Sequence, residues 1–204
     1  MPNDLVLKQL IASAQVLGLQ NDSSLPAFDR QILRMADEEK RALSPTEIQH
    51  LCQTSKVDAQ LIEQLQSKAN HLVQQAREFL VKEQPHLVQS GGALFPSERA
   101  EACWRDCWQF FRVIVYAIAC KRPLFTDAEG MGALRALYAH VGVPIEGLNI
   151  ALKQLKVLSR QEVSGTIEAP LLSDSFDHLL EPVSYTHLRA HETLRYLVCR
   201  LLLE

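Results

Sequence analysis

The chain has 204 residues, a formal net charge of −3 at pH 7 and 47% hydrophobic residues. These values are typical of one globular domain, and the small negative charge gives no electrostatic reason to expect a nucleic-acid partner. No run of about 20 apolar residues is present, so no membrane-spanning helix is predicted. The five cysteines are odd in number and widely scattered, which favours reduced thiols in a cytosolic compartment over a secreted disulfide framework.

Helical periodicity dominates the first half of the chain. Apolar residues recur at helical spacing before Gly18, which predicts a first helix that ends at that glycine. A second helix is predicted over 29–41. A third begins at a capping box, in which Ser44 is the N-cap and Glu47 closes the box. A longer helix with one apolar face is predicted over 59–82.

The second half is predicted to form four more helices. The most apolar of them covers 97–120, and its second half is apolar nearly all round, which is typical of a helix buried on most sides. Thr126 and Glu129 form the pattern of a second capping box, which opens the next helix. A helix that starts at Pro144 and a short helix over 173–180 complete an all-α chain.

The C-terminal tail differs in character from the rest of the chain. From about Val183 onward it resembles a translated sequencing-adapter artefact, so 183–204 is interpreted as a segment that is not evolved protein. His187 and His191 are four residues apart and could ligate a metal from one helix face. No third ligand is evident, so no metal site is predicted there.

The most informative cluster is Cys103-Trp104-Arg105-Asp106, near the start of the apolar helix. A thiol and a carboxylate three residues apart lie on nearly the same helix face. Alone, the string is weak evidence, because a buried helix cysteine beside a surface Arg–Asp pair explains it too. Cys107 follows Cys103 by four residues, but no further ligand has the spacing of a metal site.

Several motifs in the same order resemble the phycobiliprotein family over most of the chain. The run over 103–116, in which Cys-x-Arg-Asp precedes aromatics, an Arg and a Tyr, resembles the family's bilin-attachment helix. Further similar segments are Leu-Ser-Pro-Thr-Glu at 43–47, Lys-Ala-Asn-His-Leu-Val at 68–73, Gly-Val-Pro at 142–144 and Ser-Phe-Asp at 175–177. Within the family, the Gly-Val-Pro helix leans toward an allophycocyanin-like member.

The resemblance implies a globin-like all-α fold. It divides the chain into an N-terminal helical extension at 1–25, a phycobiliprotein-like globin domain at 26–182 and the artefactual tail at 183–204. It also implies a covalently bound open-chain tetrapyrrole, a phycocyanobilin-like bilin. Haem, which globin-like folds can carry, is disfavoured because no histidine lies on the central apolar helix.

The resemblance further implies which side chains would hold that bilin. Cys103 would form a thioether, and Asp106 would accept hydrogen bonds from the inner-ring N–H groups and favour a cationic bilin. One of two nearby arginines would pair with the propionates. Trp104 and Tyr116 are candidates for the wall of the site, with core packing as the alternative. The candidate binding residues are thus Arg99, Cys103, Trp104, Arg105, Asp106 and Tyr116.

By resemblance, the chain would be a non-enzymatic light-harvesting subunit of a phycobilisome on the cytoplasmic face of the thylakoid. It would assemble with other phycobiliprotein subunits, as a hetero- or homo-oligomer, and with linker proteins. The family's chains pair through their amino-terminal helices, and Asp37 lies where the family places an acidic interface residue. Two alternatives stay open. One is a chromophore-free paralogue that acts as an adaptor in phycobilisome assembly, turnover or regulation, and the other is a bilin lyase or isomerase.

Overall fold

The computed structural model describes residues 2–184, and the side chains of 5–183. Within this part, eight α-helices follow one another: α1 (Pro2–Ser13), α2 (Ala27–Glu38), α3 (Pro45–Ser55), α4 (Ala59–Glu83), α5 (Ser97–Ala119), α6 (Ala128–Val141), α7 (Ile145–Glu162) and α8 (Ala169–Ser184). The described residues form no β-strand, only one isolated antiparallel bridge between Leu17 and Thr126. The predicted all-α class is confirmed.

Helix α5 is the centre of the fold. Every residue from Phe110 to Ala119 is buried, as the apolar second half of this helix predicts. Helices α4, α7 and α8 pack against it, and α7 packs against both α4 and α8. The centroid of the Phe111 ring lies 6.4 Å from the centroid of the Phe176 ring on α8. Because α5 is enclosed by its neighbours here, its more open N-terminal half is the part that can offer a binding surface.

The N-terminal extension is packed onto the globin-like body. The first helix ends at Ser13 and not at Gly18 as predicted, because the chain after it runs extended beside the segment that precedes α6. The Gly18 N–H donates to the Phe125 carbonyl at 2.7 Å. At Gly130 the two segments are so close that a Cβ atom would lie 2.2 Å from the Gln15 carbonyl oxygen. Helix α1 itself also packs against α6.

The helix caps agree with the sequence at α3 and differ at α6. At α3, Ser44 and Glu47 form the predicted capping box: Glu47 Oε2 accepts the Ser44 N–H at 2.7 Å and Ser44 Oγ accepts the Glu47 N–H. At α6, the predicted N-cap Thr126 was wrong by one residue. Asp127 Oδ1 accepts the Gly130 N–H at 2.7 Å, whereas the Thr126 hydroxyl is hydrogen-bonded to His178 on α8 at 2.9 Å.

The last described helix is longer than predicted. Helix α8 covers Ala169–Ser184, where the sequence pattern predicted only 173–180. Val183, at the proposed start of the artefactual tail, lies inside α8 and is only 3% exposed. The predicted histidine pair, His187 and His191, lies outside the described residues. Among the helices that are described, none is both long and apolar enough to cross a membrane.

Candidate functional site

The N-terminal half of α5 presents a thiol and a carboxyl to the same cleft. Cys103 and Asp106, one helical turn apart, both line a cavity of about 280 Å³. Cys103 is 5% exposed, and Asp106 is partly buried. Arg99 lines the cavity one turn before Cys103. The remaining wall is mostly apolar and comes from the loop before α5, from α5 itself and from the α6–α7 turn: Ala93, Leu94, Ala102, Val141, Val143 and Pro144.

Asp106 has a hydrogen-bond partner on α6, Tyr138, which is not among the residues predicted for the site. The Tyr138 hydroxyl donates a hydrogen bond to Asp106 Oδ2 at 2.8 Å. Burial raises the pKa of Asp106, and this effect is opposed by the Tyr138 hydrogen bond and by the charge of Arg105. Tyr138 lies four residues before the Gly-Val-Pro segment at 142–144. The clue to its role was its helix, which ends at the Gly-Val-Pro segment that forms part of the cleft wall.

The two candidate arginines have different surroundings. Arg99 Nη2 donates to the carbonyls of Val141 at 3.0 Å and of Gly142 at 2.8 Å, and so ties α5 to the end of α6. Helix α6 is capped by Gly142, whose φ of +70° is a conformation that other residues rarely adopt. Arg105 is exposed and acts on Asp106 through its charge. Arg99 is thus held at the cleft, whereas Arg105 lies in solvent beside it.

Trp104 faces a second, larger cavity next to the Cys103 cleft. That cavity has a volume of about 670 Å³, and Leu94 lines both. The Arg77 guanidinium lies over the Trp104 ring, 5.4 Å from its centroid, and pairs with Glu101 at 3.1 Å. The indole Nε1 of Trp104 is buried without a hydrogen-bond partner. Trp104 is therefore a wall of the neighbouring cavity and not of the Cys103 cleft.

Tyr116 lies away from the other candidate binding residues and is not among the residues that line the Cys103 cleft. It is fully buried, accepts a hydrogen bond from Arg112 at 2.8 Å and donates one to the Arg41 carbonyl. Arg112 in turn pairs with the Asp37 carboxylate at 2.6 Å. A separation of 13 residues along one helix places Tyr116 about 20 Å from Cys103, so Tyr116 belongs to a separate polar cluster in the core.

The other described thiols are buried and have raised pKa values. A hydrogen bond to Cys103, together with burial, raises the pKa of Cys107 well above its ordinary value. Burial raises the pKa of Cys52 to about 11 and that of Cys120 to about 12. Among the residues with described side chains, no group of three or more His, Cys, Asp or Glu is placed to hold a metal ion. Cys103 lines the cleft of about 280 Å³, and Cys52, Cys107 and Cys120 are not among the residues that line it.

Comparison with known proteins defines the class of this molecule. The sequence matches the family described as "Phycobilisome protein" over residues 31–183. That span covers most of the chain, so the protein belongs to the phycobilisome protein family. Family membership confirms the resemblance seen in the motifs. Members of this family are light-harvesting pigment proteins and not enzymes, which confirms the predicted non-enzymatic role.

Individual relatives are subunits of two related kinds. The allophycocyanin subunit beta-18 of Nostoc sp. is 30% identical over 122 residues, which are 59% of this chain and 72% of that protein. The allophycocyanin alpha chain 2 of Microchaete diplosiphon is 27% identical over 148 residues, 71% of this chain and 91% of that one. The C-phycocyanin beta chain of Aglaothamnion neglectum is 33% identical over 98 residues, 48% and 57% of the two chains.

A solved structure shows the same fold. It is a far-red fluorescent biliprotein derived from a far-red induced allophycocyanin F subunit of the thermophilic cyanobacterium Chroococcidiopsis thermalis. The two share 23% sequence identity with a TM-score of 0.57, over 62% of this chain and 96% of that one. The globin-like phycobiliprotein fold predicted from the motifs is confirmed.

Proposed function

We propose that this protein is a bilin-binding light-harvesting subunit of a phycobilisome, and that Cys103 is its attachment point. The observation that carries the proposal is the position of Cys103 and Asp106 on one wall of one cleft, with Arg99 beside them. Membership of the family supports it, as do the relatives that are allophycocyanin and phycocyanin chains.

The donor set of the cleft fits an open-chain tetrapyrrole. Its thiol can add across a vinylic double bond of the first ring: the sulfur–carbon bond forms and the thiol proton ends on the neighbouring carbon, with no leaving group. Asp106 supplies a carboxyl whose Oδ1 has no partner among the described residues, and Oδ2 is bonded to Tyr138. A bound bilin supplies the conjugated ring system that absorbs light.

Each residue then has a defined role. Asp106 accepts hydrogen bonds from inner-ring N–H groups, and its charged form stabilises a cationic bilin, because opposite charges attract most strongly where water is excluded. Arg99 is held at the cleft by the 141–142 carbonyls and offers its other guanidinium N–H groups to a propionate. Arg105 is the second candidate for such a pair. Trp104 would contact a bilin that reached past Leu94 into the larger cavity.

The partners follow from the same proposal. We infer assembly with other phycobiliprotein subunits and with linker proteins, on the cytoplasmic face of the thylakoid. Asp37, which the resemblance places at a subunit interface, pairs with Arg112 of its own chain. The opposite side of α2 carries two exposed apolar residues, Phe28 and Met35, beside His50 of α3. That outer side is the part of α2 that would meet a partner.

Coexpression with a bilin supply and an attachment lyase tests the function. Wild-type protein is expected to carry pigment that survives a denaturing gel and fluoresces with zinc. Cys103→Ala is expected to lose that pigment and keep its helical circular dichroism, because the change removes one sulfur atom. Cys120→Ala, which alters a buried thiol directly after the last residue of the same helix, is the matched control and is expected to stay pigmented.

Two outcomes would contradict the proposal. A wild-type chain that stays colourless with several lyases and bilins would favour the chromophore-free adaptor. Pigment that attaches equally well to Cys103→Ala would show that the antenna function stands and that the site is elsewhere.

A further inference from the structure

A hydrogen bond between two side chains links Asp106 in the cleft to Tyr138 on α6. The Tyr138 hydroxyl donates to Asp106 Oδ2 at 2.8 Å, and the Tyr138 side chain is 6% exposed. Among the described residues, this is the one side-chain hydrogen bond that Asp106 makes, and the same is true of Tyr138. The bond joins residues 32 positions apart in the chain, so it exists only once α5 and α6 have packed.

This bond fixes the orientation of the carboxyl group. Rotation about χ2 of an aspartate is broad and has no sharp staggered minimum, so a carboxyl without a partner turns freely. With Oδ2 bonded to Tyr138, the plane of the Asp106 carboxyl is set and Oδ1 is the oxygen left for a ligand. Asp106 lines the cleft, and Tyr138 supports it from the α6 side. The hydroxyl therefore acts on the cleft through Asp106.

The same bond also bears on the charge of the carboxyl. Burial favours the neutral acid, and the Tyr138 hydroxyl and Arg105 favour the carboxylate. The loop residues 93–94 and the turn residues 141–144 add no titratable side chain. The titratable groups around the carboxyl are Arg99, Cys103, Arg105 and Cys107 on α5 and Tyr138 on α6.

We propose that Tyr138 is the positioning residue of the chromophore site: its hydroxyl holds Oδ2 of Asp106 and leaves Oδ1 to the ligand. Where it concerns a bilin, this inference rests on the proposed function. Where it concerns the carboxyl, it rests on the hydrogen bond alone and is testable without pigment.

The first experiment uses the full chain without pigment. The carboxyl carbon of Asp106 is followed by NMR as a function of pH, with Asp106→Asn to assign the signal. Tyr138→Phe keeps the ring and removes the hydroxyl, so the midpoint of the Asp106 titration is expected to rise by about one pH unit. Tyr116→Phe, which removes the hydroxyl of a second buried tyrosine that is hydrogen-bonded within the core, is the matched control and is expected to leave the midpoint unchanged.

An unchanged midpoint in Tyr138→Phe would overturn the proposal, as would an equal rise in Tyr116→Phe. Circular dichroism verifies that each variant folds. Should Tyr138→Phe fail to fold, the hydroxyl proton of Tyr138 is observed instead. It is expected to be protected from exchange in wild type and in Asp106→Asn, whose amide oxygen can still accept, and to lose protection in Asp106→Leu. Equal protection in Asp106→Leu would also overturn the proposal.

The second experiment uses the pigmented protein. Tyr138→Phe is expected to keep covalent pigment on Cys103, while the pH at which its visible absorption changes moves upward with the Asp106 midpoint. Unaltered pH dependence in the pigmented variant would overturn the role toward a bilin. A wild type that binds no pigment would refute the proposed function, and the titration of the unpigmented chain would still decide the role of Tyr138.

Discussion

The two halves of α5 each carry a cluster of polar side chains. The clusters differ in how many of their hydrogen bonds are made within the protein. Near the C-terminal end, the Arg112 guanidinium meets the Asp37 carboxylate, the Tyr116 hydroxyl and the Gln109 side chain. Near the N-terminal end, Asp106 has one hydrogen-bond partner and lies on a cleft. The Asp37 carboxylate is buried and the Asp106 carboxyl is partly buried, so each carries some of the electrostatic cost of burial.

The difference indicates different roles. A buried ion pair whose hydrogen bonds are made within the chain holds elements together, and here it fastens α2 to α5. In the second cluster, one oxygen of a partly buried carboxyl has no hydrogen-bond partner among the described residues, and a thiol and an arginine lie beside it. This pattern is typical of a site whose hydrogen bonds are completed by a ligand. Changes in the first cluster should therefore act on stability, and changes in the second on pigment.

The largest effect is expected at Arg112. Arg112→Met leaves the buried Asp37 carboxylate with only the exposed Lys40 ammonium, at 3.4 Å, as a partner, which should lower the free energy of unfolding by about 3 kcal/mol. Urea denaturation measures this loss. The double variant Asp37→Leu/Arg112→Met removes both charges and is expected to recover most of it, because the cost lies in the unpaired charge. A loss below about 1 kcal/mol in Arg112→Met would show that the pair does not fasten α2.

The next effect is expected at Asp106, in the pigmented protein. Asp106→Ala removes the acceptor of the inner-ring N–H groups, and each such charge-assisted bond contributes about 1.5–3 kcal/mol. Covalent attachment should persist, while absorption moves to the blue and fluorescence falls. Asp177→Ala, an exposed aspartate paired with Lys156 on the surface, should leave both spectra unchanged. Identical spectra in Asp106→Ala and wild type would contradict the assigned role.

A smaller effect with a defined pH dependence is expected at Glu47. Its hydrogen bonds with Arg41, at 2.8 and 2.9 Å, lower the pKa of Glu47 from 4.5 to about 2. The stabilisation is therefore present above pH 4.5 and lost as the pH falls toward 2. Glu47→Gln should cost about 1 kcal/mol at pH 7 and less at pH 3. Unfolding free energies of both proteins at the two pH values measure this, and a cost independent of pH would exclude the ion pair as its source.

The smallest effect is expected from the tail. The sequence from about 183 onward resembles an adapter artefact, but Val183 is buried within α8, so the informative truncation is after Ser184. Removal of 185–204 is expected to leave the melting temperature unchanged within error, and attachment of pigment unchanged as well. A fall of several degrees would show that these residues belong to the fold.

Local signals in the sequence predicted most of the fold. The Ser44 capping box and the buried second half of α5 each depend on residues within one or two turns, which is why the pattern reveals them. The end of α1 and the N-cap of α6 were misplaced because both are set by partners distant in sequence. Gly18 bonds across to Phe125, and the Thr126 hydroxyl is taken by His178.

The residues of the candidate site likewise divide into those that local spacing predicts and those that depend on distant contacts. Cys103, Asp106 and Arg99 share a cleft because their spacing of three and four residues places them on one face of α5. Tyr116 was grouped with them through a motif, although its position along the helix places it in the core. Tyr138 was missed because its contact with Asp106 spans two helices, and no pattern within one helix can report such a contact.

The site of attachment is the central claim, and peptide mapping of pigmented wild-type protein tests it most directly. Trypsin cleaves after Arg99, Arg105 and Arg112, so Cys103 and Cys107 fall on separate peptides, Ala100–Arg105 and Asp106–Arg112. Mass spectrometry is expected to find one bilin added to Ala100–Arg105 and none on Asp106–Arg112. A bilin on Asp106–Arg112, or on a peptide that carries any other cysteine, with Ala100–Arg105 unmodified, would contradict the assignment of Cys103.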